Sequence, residues 1–431
     1  MILSKHQMTV WLNRLTAGLS DELSEKEQGR IAQSFLLISV THFFSKFADL
    51  LASPKITLTW LLQALGAPAF AISLLVPIRE SGSMLPQVFF ATYVNSRDRK
   101  VRTYQLGAAI QGVAIAGIIA SALFASGWFV GVLVVSMVAV FSFGRCLSSL
   151  ASKAVLGSAI PKSLRGQTTG WSATLAGLSS CLVAIYLLTQ GTTQSVFSVV
   201  WLLLVALLSW ILALLVFGGV KESAQKSPNK SVESKTIVEK LTLLRSDKSL
   251  LRFVLVRALL MSSALVTPYY ILLAGEGSST LQVLGGLLLA SGLAKLVSSI
   301  VWGRLSDLSA RKALMLSGSL VFIIGAITVL FWWLSPGLLV IVWVFPVLYF
   351  ALEIAHQGVR VARKTYIVDL ATEDTRVDYV AISNSFIGVL LLVSGVFLGL
   401  MSIIVEPIWL VFFLSVVSLG GAALAVTLKE L

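Results

Sequence analysis

A chain of 431 residues that is 57% hydrophobic and 12% charged, with a mean hydropathy of +0.90, is too apolar for a soluble globular domain, which carries about twice that charged fraction. Its net charge of +13 would suit a nucleic-acid partner in a soluble protein, but the basic residues sit in short connections between apolar runs, where retention on the cytoplasmic side of a bilayer accounts for them and no nucleic acid is expected. The two cysteines, Cys146 and Cys181, both fall inside apolar runs, which excludes a disulfide framework or a cysteine metal site and leaves them as small packing residues.

Residues 1–30 lack a continuous apolar core, so no cleavable signal peptide is expected there. Met8, Trp11, Leu12, Leu15 and Leu19 recur at helical spacing and predict an amphipathic helix on the cytoplasmic membrane surface, with a partner-binding helix as the alternative. Apolar runs long enough to cross a bilayer, about 20 residues each, follow near 31–52, 67–94, 103–125, 128–152, 170–190 and 196–219. They resume near 250–273, 281–302, 313–334, 337–360, 379–402 and 407–428. From Ile56 to Val94 the chain is almost continuously apolar, too long for one span, and Pro68, Pro77 and Pro86 punctuate it. The expectation is a short segment over 56–66 at the outer surface, then one long kinked span.

The stretch 220–249 is rich in Lys and Ser and is the one substantial polar connection. The chain therefore divides into a cytoplasmic N-terminal segment (1–30), a six-helix half (31–219), a cytoplasmic linker (220–249) and a second six-helix half (250–431). With residue 1 in the cytoplasm, the segments on that side hold 25 Lys or Arg, and the outer loops hold one, Lys55. Both termini are expected in the cytoplasm of an all-α, multi-pass protein of the plasma (inner) membrane with about twelve transmembrane helices.

Between spans eight and nine the sequence reads Gly303-Arg-Leu-Ser-Asp307-Leu-Ser-Ala-Arg311-Lys312. At this cytoplasmic turn it resembles the signature loop of the major facilitator superfamily, G-x-L-x-D-x-x-x-R-K. A shift of 212 residues lays Ala91, Asn95, Arg99 and Lys100 on Gly303, Asp307, Arg311 and Lys312, a degenerate copy that keeps only the basic pair. A shift of 211 lays Arg165 on Arg376 and Arg145 on His356. The resemblance implies two pseudo-symmetric halves, and a latch in which Gly303 lets helices approach, Asp307 pairs with a neighbouring helix in one conformation, and Arg311 and Lys312 supply fixed charge. It also implies that spans one, four, seven and ten line a central cavity, which places Arg145 and His356 there.

Ionisable residues inside spans cost about 2.5–3.5 kcal/mol each on insertion scales, and so point to function. Lys46 and Asp49 are three apart on one helix face and are expected to neutralise each other, as a structural pair or at the solute site. Arg79 and Glu80 are adjacent, point roughly 100° apart, and must find partners elsewhere; their run Pro77–Pro86 is the leading candidate for part of the translocation path. Glu353 and His356 share a face of span ten, and that pair could carry a proton. Lys153 and Arg257 are placed to snorkel, whereas Lys295 lies deeper with no evident partner. Tyr269, Tyr270, Trp171 and Tyr349 are available as aromatic contacts or as packing.

Basic groups outnumber carboxylates among these residues, which favours an anionic or zwitterionic small solute. No G-x-x-x-x-G-K-[ST] loop is present, and the three histidines form no cluster, so neither an ATP-driven pump nor a membrane-embedded enzyme is expected, and no cofactor or metal is implied. The reading is a monomeric secondary transporter working by alternating access, with a proton as the economical coupling ion, carried by Glu80, Glu353 or Asp49, and sodium as the alternative. An efflux antiporter and a lipid flippase on the same fold are the competing readings. Exporters of the superfamily often resemble one another in a Gly-Pro-rich motif on span five; here that span, from Gly170 to Cys181, contains no Pro, so the resemblance lowers the antiporter reading.

Overall fold

The computed structural model describes residues 25–87, 90, 94, 99–190, 196–221, 247–278, 280–339, 341, 343–372 and 376–430. The predicted helix over residues 8–19, most of the linker and Asn95 lie outside them. Sixteen helices can be followed, and no strand occurs among the described residues. They are α1 (Glu25–Leu51), α2 (Thr57–Ala64), α3 (Ala69–Met84), α4 (Lys100–Phe124), α5 (Gly127–Ala159), α6 (Lys162–Thr189) and α7 (Val196–Phe217). After the linker come α8 (Lys248–Leu260), α9 (Ser262–Leu265), α10 (Thr267–Ser278), α11 (Leu281–Leu308), α12 (Ala310–Leu334), α13 (Pro336–Leu339), α14 (Val344–Leu370), α15 (Arg376–Ile404) and α16 (Pro407–Ala425).

Ten helical stretches among the described residues are long and apolar enough to cross a membrane. Helix α7 shows how they are built. Its buried residues Val199, Leu203, Ala206, Trp210, Ala213 and Phe217 form one stripe at helical spacing, yet the outward Trp201, Leu208 and Leu215 are equally apolar. A helix that is apolar on its exposed face has lipid as its solvent. The two long runs missing from the ten are α3 and α14, the helices that carry Arg79, Glu80, Glu353 and His356. Helix α3 falls short in length, with 16 residues, and α14, with 27, in apolarity.

The helices pair by one scheme, used twice. Helix α1 packs on α6 and α7, α3 on α5, and α4 on α5 and α7. In the same way α8 packs on α15 and α16, α11 on α14, and α12 on α14 and α16. Two further pairs, α3 with α15 and α6 with α11, join the two sets. Close approach depends on small residues. A Cβ on Gly107 of α4 would stand 2.6 Å from the Gly144 carbonyl of α5, and one on Gly395 of α15 would stand 2.6 Å from the Pro77 Cβ of α3.

One end of the bundle is basic: Lys100, Lys162, Lys248, Arg311, Lys312 and Lys429 lie at helix ends there. The connections Leu65–Pro68, Ala125–Ser126 and Val405–Glu406 at the opposite end contain no Lys or Arg. The segment expected over 56–66 at the outer surface is instead α2, whose residues 57–62 are all buried, with Trp60 1% exposed. It prolongs α1 after a break at Ala52–Ile56 and packs against α10, with Gln63 Nε2 donating to the Leu272 carbonyl at 3.0 Å. Six consecutive buried residues cannot lie on a surface. The matching run on the other side, α8 to α10, is likewise broken, at Met261 and at Val266.

Candidate functional site

The breaks carry the site. Lys55 lies in the turn between α1 and α2, so it is not an outer-loop residue as its position in the sequence suggested. Its Nζ stands 3.0 Å from His356 Nε2, near the middle of α14. His356 Nδ1 stands 2.9 Å from Ser263 Oγ in the short helix α9. Ser263 spends its own hydrogen on the Leu260 carbonyl at 2.7 Å, so it accepts from His356. The network therefore places the imidazole hydrogen on Nδ1, and with Lys55 as an ammonium the Nε2 lone pair accepts from it. His356 is 4% exposed and Glu353 2%.

The expected Glu353–His356 pair does not form. Although three residues apart, Glu353 accepts from Gln357 Nε2 at 2.6 Å, one turn further along its own helix, while His356 turns to Lys55 and Ser263. Lys295 of α11, without an evident partner in the sequence, has the Glu353 carboxylate as its strongest opposite charge. The Tyr349 ring, one turn earlier on α14, is buried beside Glu353.

The expected Lys46–Asp49 pair is also replaced. Asp49 bridges two arginines: Oδ1 accepts from Arg79 Nη2 of α3 at 3.3 Å, and Oδ2 from Arg145 Nη1 of α5. Bidentate-capable guanidinium groups from two helices compete better for a carboxylate than one ammonium on the same helix. Lys46 donates instead to the Thr169 carbonyl of α6 at 2.6 Å. Arg79 also lies over the Phe141 ring, 4.7 Å from its centre. Glu80 lies among four cations, Lys55 first, then Arg79, Arg360 and Arg363. Arg257 of α8, 6% exposed, does not snorkel: it donates to Ser383 Oγ at 2.6 Å and Asn384 Oδ1 at 2.9 Å on α15, and its Nε has no partner among the described residues.

Charge from α1, α3, α5, α8, α11 and α14 thus meets between the two sets of helices. Solvent exposure rises toward the basic end: the Arg79 side chain is 14% exposed, Arg145 33%, and Arg360, Lys153 and Lys364 are exposed. The sequence reading missed Lys55, Arg360 and Arg363. A signal for the last two existed, because 353, 356, 360 and 363 recur at helical spacing and mark one polar face of span ten. Lys55 had none, being a lone lysine beside a proline. The aromatic candidates divide. Tyr269 donates to Ser73 Oγ at 2.9 Å and the Tyr270 hydroxyl meets Thr328 Oγ1 at 2.9 Å, both as packing contacts, and Trp171 is 55% exposed on the outer face.

At the basic end, Gly303 meets open space, and Asp307 is exposed with no hydrogen-bond or ion-pair partner among the described residues. Arg311 pairs with Glu430 and donates to the Leu428 carbonyl at 3.3 Å, while Ser309, the cap of α12, also donates to Glu430. The partner of the motif is thus the C-terminal segment, reached by Arg311 rather than by Asp307. Lys312 lies in the first turn of α12, Lys100 opens α4, and Arg99 stands just before it.

Solved structures resemble the whole arrangement. A D-xylose-proton symporter superposes with a TM-score of 0.68 at 12% identity, over 92% of this chain and 98% of that one. The nucleoside transporter NupG gives 0.67 at 12% identity, over 92% and 99%. The inward-open xylose transporter XylE from E. coli gives 0.67 at 12% identity, over 93% and 97%. At such identities the likeness establishes the fold. No protein-family model matches the chain, and no curated protein does.

Proposed function

We propose that this chain, which has the fold of the major facilitator transporters, is a monomeric secondary transporter carrying a small anionic or zwitterionic solute by alternating access with protons as coupling ions. Residues 31–219 and 250–431 are the two moving halves, and the basic end faces the cytoplasm of the plasma (inner) membrane, in line with the positive-inside rule. The observation that carries the reading is the charged cluster between the two helix sets: ionisable groups this deep are costly and mark solute or ion pathways. Its cations outnumber its carboxylates. Asp49 is already engaged by two arginines, Glu80 and Glu353 have lysines as their strongest opposite charges, and among the described residues Arg257 and Arg363 have no carboxylate bonded to them. A negatively charged group is what such a site lacks. The neighbours are a sugar–proton symporter and a nucleoside transporter, which supports a small solute for this chain.

The test is a proteoliposome with a trapped pH dye, offered carboxylates, phosphate esters, amino acids and sugars in turn. Acidic or zwitterionic solutes should drive proton movement in the wild type, and Glu80→Gln should suppress it. Solute flux without proton movement would replace the proton by sodium. Flux of neutral sugars alone would remove the anionic reading.

A further inference from the structure

Taking the chain to be the transporter just described, we propose that Lys55 and His356 together form its proton-coupled anion subsite: a proton taken up at His356 Nε2 parts the two side chains, and an acidic group of the solute bridges them. Lys55 belongs to the break after α1 and His356 to the middle of α14, so their 3.0 Å hydrogen bond ties one helix set to the other. The hydrogen between the two nitrogens belongs to Lys55, because the single N–H of the neutral imidazole is committed to Ser263. Nε2 is therefore the open basic atom. When a hydronium ion delivers a proton there, one of its O–H bonds breaks to leave water, an N–H bond forms at Nε2, and the N–H···N hydrogen bond from Lys55 is lost.

The result is two cations presenting N–H donors into one gap, a repulsive arrangement in which a carboxylate or phosphate oxygen accepting from both is strongly favoured. The surroundings sharpen this. Facing the pair are Glu80 from α3, Glu353, Arg360 and Arg363 from α14, and Lys295 from α11. Three cations against two carboxylates leave no spare negative charge to settle a doubly protonated pair. Proton and acid must bind together, which is the requirement for coupling. In the resting state the same two residues hold the halves together, so the subsite is closed when empty.

Two measurements on the full-length protein decide it. In unbuffered detergent solution with a pH indicator, benzoate, succinate or inorganic phosphate should draw about one proton per molecule bound, and xylose none. His356→Gln should abolish that uptake, Lys55→Met should weaken acid binding, and Lys55→Arg should restore it. Independently of any solute, nitrogen NMR of histidine-labelled protein should show the His356 signal, identified by its loss in His356→Gln, as the Nδ1–H form at neutral pH, with an Nε2 resonance displaced by Lys55→Met. Full proton uptake in His356→Gln, or a resonance indifferent to Lys55→Met, overturns the proposal and leaves the transporter reading standing. If the pair behaves as described while proteoliposomes carry none of the acids, the transporter reading fails and the proton site stands.

Discussion

Asp49 holds two guanidinium groups from two other helices, so its removal should cost more than the loss of one contact. Asp49→Asn leaves Arg79 and Arg145 without their carboxylate, and breaking a buried pair in this way costs about 3–5 kcal/mol. The low end is expected, because Arg145 is a third exposed. The thermal midpoint in detergent should fall clearly for Asp49→Asn and less for Arg145→Gln, which leaves Arg79 in place. An unchanged midpoint for Asp49→Asn would mean that the triad carries no structural weight. At this scale the sequence was legible by depth but not by partner. Spacing identified Lys46, Asp49, Arg79, Glu80, Glu353 and His356 as intramembrane charges. Partnership is a tertiary property: Asp49, Lys46 and His356 are bonded across a helix interface, while Glu353 is bonded to Gln357 on its own helix.

The helices themselves were the easiest thing to read. A bilayer admits only elements that satisfy their own backbone, so long apolar runs became helices with few surprises. The surprise was α2, where Pro54 and Gly66 bound a short apolar run that looks interfacial in sequence but is buried against α3, α7 and α10. Local hydropathy cannot distinguish protein from lipid as the apolar neighbour. The pairing of α3 with α15 rests on Gly395 lying against Pro77, and a side chain there meets ring carbons at 2.6 and 2.7 Å. Gly395→Val should force the two helices apart, at about 1–3 kcal/mol for an overpacked contact. The expected signature is a lowered thermal midpoint with solute exchange impaired further than the stability loss explains. Wild-type exchange in that variant would show that the α3–α15 seam does not move during transport.

Across the whole molecule, charge is arranged by end. Arg311, Ser309 and Glu430 fasten the C-terminal segment to the start of α12 at the basic end. The hydrogen bond from Ser309, with Arg311 and Lys312 beside it, holds the Glu430 carboxyl below its ordinary range. A carboxyl depressed in the folded state contributes above its unfolded pKa and loses that contribution as the pH falls through its folded one. The clasp should therefore be closed at neutral pH and open in acid. Hydrogen exchange at the end of α16 should quicken on acidification, beyond the intrinsic pH dependence of exchange, and Glu430→Gln should show that faster exchange already at neutral pH. Equal protection in wild type and variant would remove the clasp.

In the function proposed above, the charged seam between the two helix sets holds the solute while the halves alternate around it. Counterflow in proteoliposomes tests this most directly: vesicles are loaded with an unlabelled acidic solute, and labelled solute is added outside with no ion gradient. Wild type should show a transient overshoot of label, and Arg363→Gln should lose it while remaining folded by size exclusion and thermal midpoint. An overshoot preserved in Arg363→Gln, Glu80→Gln and Lys55→Met alike would contradict the account, because the solute would then be held elsewhere.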